Sequence, residues 1–209
     1  MKLLLPALGL AAMMAVPSYA ETVTMTFDEV TGDYTPFDDS IGDSTYVDVT
    51  NRTRDGYANA TVYEEHVEHW TTGYSELVDV AYASADGNVG ELQFDVDAGY
   101  QITFDAFDFG NYRSGVTPRD ASFRIYDSAW NIVWQQDIVD HTGTSVTLTP
   151  GVTLTGTAYF QWGTDWDIGI DNFVYTSEVG APAVPLPAAL PLLLAAFGGL
   201  GLVARQRHA

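Results

Sequence analysis

The chain of 209 residues contains no cysteine, and Lys2 is its single lysine. Without cysteine there are no disulfides, thiolate metal ligands or thiol nucleophile, so stability rests on an apolar core or a bound metal. Positive charge is scarce altogether. Residues 21–178 hold five arginines (Arg52, Arg54, Arg113, Arg119, Arg124) against all 28 acidic residues, a net charge of −23. A surface that negative repels phosphate backbones and excludes nucleic acid as a partner, while it favours solubility and divalent cations. Residues 21–178 also show no long run with helical periodicity. No glycine-rich phosphate loop follows a strand, and no serine sits in a nucleophile elbow.

What is present begins at the ends. Lys2 opens a positive segment, Leu3 to Val16 is apolar, and Ser18-Tyr19-Ala20 offers the small residues a signal peptidase reads. Residues 1–20 are therefore expected to be a secretory signal peptide, cleaved between Ala20 and Glu21. The apolar run is short for a bilayer span. At the other end, a linker over 179–187 carries Val184-Pro185-Leu186-Pro187, and Ala188 then opens an uncharged apolar run, 188–204. Residues 205–209 form a basic end through Arg205 and Arg207. The run suits a transmembrane helix, whose basic end stays cytoplasmic.

Between these ends, residues rich in Thr, Val, Tyr, Phe and Trp alternate in polarity with a period of two, as half-buried strands do. Val23, Met25 and Phe27 share a face, and Thr45 to Thr50 alternates again through Tyr46, Val47 and Val49. Residues 60–70 fit either a strand or a short helix. A hairpin is expected from 90–96 and 99–109 across Asp97-Ala98-Gly99, with Ile102, Phe104 and Ala106 on one face of its second arm. A second hairpin joins 121–126 to 130–135 across Asp127-Ser128-Ala129. About ten short strands with turns between them predict one all-β domain over 21–178, an antiparallel β-sandwich of jelly-roll type. Its first and last strands are expected to pair, and Phe104, Ile125 and Phe160 are expected to point between the sheets.

The C-terminal residues Val184, Pro185, Leu186, Pro187 and Ala188, followed by the apolar helix and Arg205 and Arg207, resemble the VPLPA variant of the PEP-CTERM sorting signals. The resemblance implies recognition by a membrane transpeptidase of the exosortase type. Cutting near the motif would pass the body to the cell surface or surrounding matrix. The other reading of the same residues is an ordinary single-span anchor in the lipid bilayer; both place the body outside the cytoplasm. A second resemblance covers most of residues 45–175. Trp70-Thr71-Thr72-Gly73-Tyr74, Leu77 to Tyr82, Val89-Gly90-Glu91, Ala98-Gly99-Tyr100 and Gln161-Trp162-Gly163 with Ile168 to Asn172 are similar to exported PEP-CTERM proteins with one β-sandwich body. That likeness implies an architecture related to carbohydrate-binding modules, and it transfers no catalytic residues.

Three groups of side chains have the chemistry of a site. Asp165, Asp167 and Asp171, with Asn172 beside them, offer the oxygen ligands that Ca²⁺ takes, although acidic clusters arise by chance in so acidic a chain. Trp166, Tyr112 and Trp130 offer flat faces for sugar rings, Trp166 foremost because it lies in a loop. Trp162 alternates with Ala158 and Phe160 and belongs in the core; Trp70 and Trp134 complete the aromatic set. His66 and His69 lack the zinc-protease spacing and, on a strand, point to opposite sides, so they read as part of a charged strand edge. The expected function is that of a non-catalytic exported protein of the surface or matrix that binds extracellular polysaccharide. A secreted glycan-active enzyme of jelly-roll type and a purely structural or adhesive matrix protein stay open.

Overall fold

The computed structural model describes residues 19–180 apart from 114, 116 and 164. Residues 1–18 of the expected signal peptide, the VPLPA motif, the apolar run and the basic end lie outside the described residues. Period-two alternation sets the secondary structure: every regular element among the described residues is a strand. In chain order these are β1 (Ala20–Met25), β2 (Thr35–Pro36), β3 (Val47–Arg54), β4 (Val62–Glu64), β5 (Glu68–Trp70), β6 (Val80–Tyr82) and β7 (Val89–Val96). They continue with β8 (Tyr100–Asn111), β9 (Arg119–Tyr126), β10 (Ile132–His141), β11 (Val146–Leu148), β12 (Val152–Leu154), β13 (Thr157–Gly163) and β14 (Ile168–Val179).

The strands form two sheets with antiparallel ladders, an all-β sandwich as expected. The first runs β11-β8-β14-β6-β5-β2, with β1 added to β14 and β12 to β8; the second runs β10-β9-β13-β7-β3-β4. First and last strands do pair, Ala20 opposite Glu178 through Met25 opposite Phe173. The β9–β10 hairpin forms as expected. Its turn is closed by Asp127, whose carboxylate accepts from the backbone of Ala129 and Asn131 at 2.9 Å.

Three expectations are corrected. Residues 90–96 and 99–109 are both strands but not a hairpin: β7 pairs with β3 and β13, whereas β8 pairs with β14, β11 and β12. The 97–99 turn carries the chain from one sheet to the other, with Gly99 at φ 93°. Asp97 N–H donates to Tyr46 O at 2.9 Å and Tyr100 N–H to Asp97 O at 3.0 Å. Alternation specifies the inward face of each strand but is indifferent to whether the next strand lies beside it or across the core. Second, residues 60–70 become two strands, β4 in one sheet and β5 in the other. Third, the buried face of β8 changes step: Ile102 and Phe104 are buried, then Phe107 and Phe109, and Ala106 is only half-buried. The cause is an irregular register against β14 between Asp171 and Tyr175, where Asn172 adopts φ 48°; a bulge moves every later side chain to the opposite face.

The core lies between the sheets and is dominated by rings. Phe107 meets Phe160 at 4.8 Å and Phe173 at 6.0 Å, and Phe94 meets Phe104 at 5.0 Å. Phe104, Ile125 and Phe160 are all buried there, as the alternation predicted. Each such side chain contributes about 1.5–3 kcal/mol by leaving water. Trp162, fully buried, lies on Gly90 of β7, where a Cβ would stand 2.5 Å from the indole.

Candidate ligand-binding cleft

A second, smaller apolar cluster lies on the opposite face of the first sheet. On β6, Ala81 joins the main core while Val80 and Tyr82 point the other way and pack with Tyr74 and Leu77. What seats this cluster is a bare patch of sheet. Gly110 of β8 and Gly169 of β14 stand directly opposite each other. The segment around Tyr74 lies on them so closely that a Cβ on Gly110 would be 2.4 Å from Tyr74 O, and one on Gly169 would be 2.8 Å from the Tyr74 ring. Ser75 N–H donates to Asn111 O at 3.1 Å, and the Tyr74 hydroxyl donates to Trp166 O at 2.5 Å. Burial pushes the Tyr74 phenol well above its ordinary range, so it stays a donor.

On this floor stand Trp70, Tyr112 and Trp166. Trp70 ends β5, Tyr112 follows β8, and Trp166 precedes β14. Tyr112 N–H donates to Asp167 O at 2.7 Å, which ties the last two together. Tyr34 arrives on the loop before β2. Its N–H donates to His69 O at 3.0 Å, and the buried His69 ring bonds Gly32 O (2.9 Å) and Asp79 (3.0 Å). Asp33 accepts from Thr71 Oγ1 and N–H at 2.7 and 2.9 Å, bonds that hold its carboxyl below the usual range.

The result is a cleft of about 330 Å³ lined by Tyr34, Trp70, Tyr82, Ser84, Ala85, Asp86, Tyr112 and Trp166. Trp70 is its hub: Tyr34 meets it edge-on at 4.8 Å and Tyr112 at 5.7 Å, while Tyr112 meets Trp166 at 5.1 Å. Arg113 lies 5.5 Å from the Tyr112 ring centroid. Flat apolar rings flanked by a carboxylate and hydroxyls are the surface on which a sugar ring stacks while its hydroxyls are hydrogen-bonded. A larger depression of about 470 Å³ along β1 and the 38–43 loop lacks this aromatic wall.

Of the aromatic residues singled out in the sequence, Tyr112 and Trp166 come together here, and Trp130 does not. It sits at the β9–β10 turn, stacked on Tyr159 at 3.8 Å with Arg54 5.2 Å away. Its place in the hairpin turn fixes it to the second sheet. Trp162 is in the core as expected, and Trp134 packs against that core. Tyr34 and Tyr82 are cleft residues that the sequence does not single out. Tyr34 is one residue of an Asp-rich loop, and its ring is placed by His69 and Asp33 contacts that no local pattern signals.

The three aspartates considered for calcium do not form one ligand set among the described residues. Asp167 is buried and paired with Arg119 at 2.6 Å. Burial raises its pKa, partly offset by Arg119. Asp165 accepts from Trp166 N–H at 2.7 Å; burial again raises its pKa, with Asp86 nearby adding to the effect. Asp171 lies four residues beyond Asp167 on β14, a displacement of about 13 Å at strand rise. It stands opposite Asp108, and the Asn172 amide bridges the two carboxylates at 3.0 and 3.1 Å. Burial, with Asp108 adding repulsion, pushes its pKa up to about 7.

No protein-family model matches this chain, and no curated protein is significantly similar to it. Among solved structures, a family 35 carbohydrate binding module from Clostridium thermocellum is 14% identical, covering 77% of this chain and 99% of its own, with a TM-score of 0.35. The CBM35 from Cellvibrio japonicus Abf62 is 16% identical over 77% of this chain and 94% of its own, also at 0.35. An arabinose-bound GH51 α-L-arabinofuranosidase is 10% identical over 73% of this chain but only 25% of its own length, at 0.34. This chain thus spans a quarter of that enzyme.

Proposed function

We propose that the chain is an exported, non-catalytic β-sandwich of jelly-roll type that binds polysaccharide through the Trp70 cleft. The observation that carries this reading is the convergence of Tyr34, Trp70, Tyr112 and Trp166 around one cavity beside Asp86. Rings presented edge to face leave apolar walls that stack on sugar faces, and Asp86 and Ser84 supply acceptors for hydroxyls. The VPLPA motif, the apolar run and Arg205 and Arg207 support delivery by an exosortase-type transpeptidase to the cell surface or matrix.

The test is a glycan array probed with the chain and its Trp70→Ala and Trp166→Ala variants. Binding weakened at least about tenfold by Trp70→Ala, with the β-sheet spectrum intact, is the expected result. Undiminished binding in both variants would move the ligand elsewhere, and turnover of a bound glycan would make the protein an enzyme.

A further inference from the structure

Residues 62–70, Val-Tyr-Glu-Glu-His-Val-Glu-His-Trp, carry the chain from β4 in the second sheet to β5 in the first. The chain bends at Glu65-His66 between the two strands. Val67 and His69 go inward, fully buried, whereas Glu64, His66 and Glu68 lie together on the half-exposed side. One ligand atom from each of these three, two carboxylate oxygens and a ring nitrogen, lies within 4.8 Å of the other two. His66 Nε2 is 3.3 Å from Glu64 Oε2. That is close to the edge of about 3.4 Å expected of a tetrahedron whose ligands stand about 2.1 Å from a zinc ion.

The backbone beneath the three is held on both sides. Thr53 Oγ1 donates to His66 O at 2.8 Å, Val67 N–H donates to Asn51 Oδ1 at 2.8 Å, and Phe37 N–H donates to Val67 O at 3.1 Å. The Tyr82 hydroxyl donates to Glu68 Oε2 and so fixes that carboxylate from behind, as outer-shell donors fix metal ligands. Glu64 Oε2 is shielded from solvent yet makes no hydrogen bond among the described residues. The His66 side chain keeps 29% of its surface exposed, so an ion can reach it.

We propose that Glu64, His66 and Glu68 bind one divalent transition-metal cation of the Zn²⁺ class, at a site that meets the cleft through the Tyr82 hydroxyl. One imidazole nitrogen and two carboxylates suit Zn²⁺ better than Ca²⁺, which takes six to eight oxygens. Three protein ligands leave a further position open to solvent or to an outside group. The site spans the crossing between the sheets, so a bound ion would pin β4 to β5.

The full chain is titrated with Zn²⁺, and binding is followed by calorimetry and by the histidine ring resonances. The expected result is one saturable site whose filling moves the His66 resonances selectively. His66→Ala and, as an isosteric variant, Glu64→Gln should each weaken it at least about tenfold. Excess Ca²⁺ should not displace the ion. Unchanged Zn²⁺ affinity in both variants overturns the proposal. So does a wild-type signal that Ca²⁺ reproduces with no histidine resonance moving, the pattern of diffuse binding to an acidic surface.

Discussion

The interior between the two sheets and the cleft on the outer face of the first are both built from aromatic rings, yet they are assembled by opposite means. In the interior, Phe94, Phe104, Phe160 and Phe173 are supplied by strands, one from each alternate position, and the rings meet because the sheets face each other. In the cleft, Tyr34, Tyr112 and Trp166 come from loops, with Trp70 and Tyr82 on strands. Their meeting depends on the glycine pair Gly110 and Gly169, on the Tyr74 hydroxyl and on His69. Rings in the interior are interchangeable parts of a packing pattern; rings in the cleft are individually tethered. The first arrangement secures stability, and the second leaves faces accessible to a ligand.

Truncation in the interior should give the largest loss. Trp162→Ala is expected to lower unfolding free energy by about 3–5 kcal/mol, measured by denaturant titration. A loss below about 1 kcal/mol would mean that Gly90 does not hold the indole as packed. Gly110→Ala comes next. Its new methyl meets the backbone carbonyl of Tyr74, and overpacking of this kind costs about 1–3 kcal/mol. Because the collision is with the segment that floors the cleft, glycan binding should fall further than stability does. Equal proportional loss of both would remove the distinction between the two regions.

Asp171 lies outside both the core cluster and the cleft lining. Its pKa near 7 in the folded protein exceeds that of an unfolded aspartate, so the folded state holds a proton that the unfolded chain releases. The contribution of Asp171 to stability is therefore fully present below about pH 4, is lost as pH rises towards 7, and levels off above it. Asp171→Asn should flatten that dependence and raise stability at pH 8 by roughly 1–3 kcal/mol. A decrease would show that the ionised carboxylate is held favourably. The smallest effect is expected of Trp130→Ala: its ring stacks on Tyr159 outside both regions, so glycan binding should be unchanged and stability lowered by only about 0.5–1.5 kcal/mol. Lost glycan binding in this variant would place the ligand on the second sheet instead.

The interior is largely legible in the sequence. Alternation locates β1, β7, β8, β9, β13 and β14, selects Phe104, Ile125 and Phe160 as inward, and separates Trp162 from the surface tryptophans. Where alternation misleads, at the β7–β8 connection and at Ala106, the missing information is a partner strand and a bulge. Neither leaves a mark in the alternation itself. The cleft is legible only in fragments. Tyr112 and Trp166 stand out as rings available to a ligand, but Trp130, which stands out on the same grounds, has no different local sequence character.

The sequence by itself therefore determined the material and its inward or outward disposition. It encoded a cysteine-free, strongly acidic β-domain, with each strand's buried face written in its own alternation, because side-chain direction along a strand is a local property of the backbone. Only the tertiary structure decided which strands lie side by side and which face across the core. It also decided that a loop would settle on Gly110 and Gly169, and that Glu64, His66 and Glu68 would converge where the chain changes sheets. Those outcomes depend on contacts between residues far apart in the chain, and a local pattern carries no information about a distant partner.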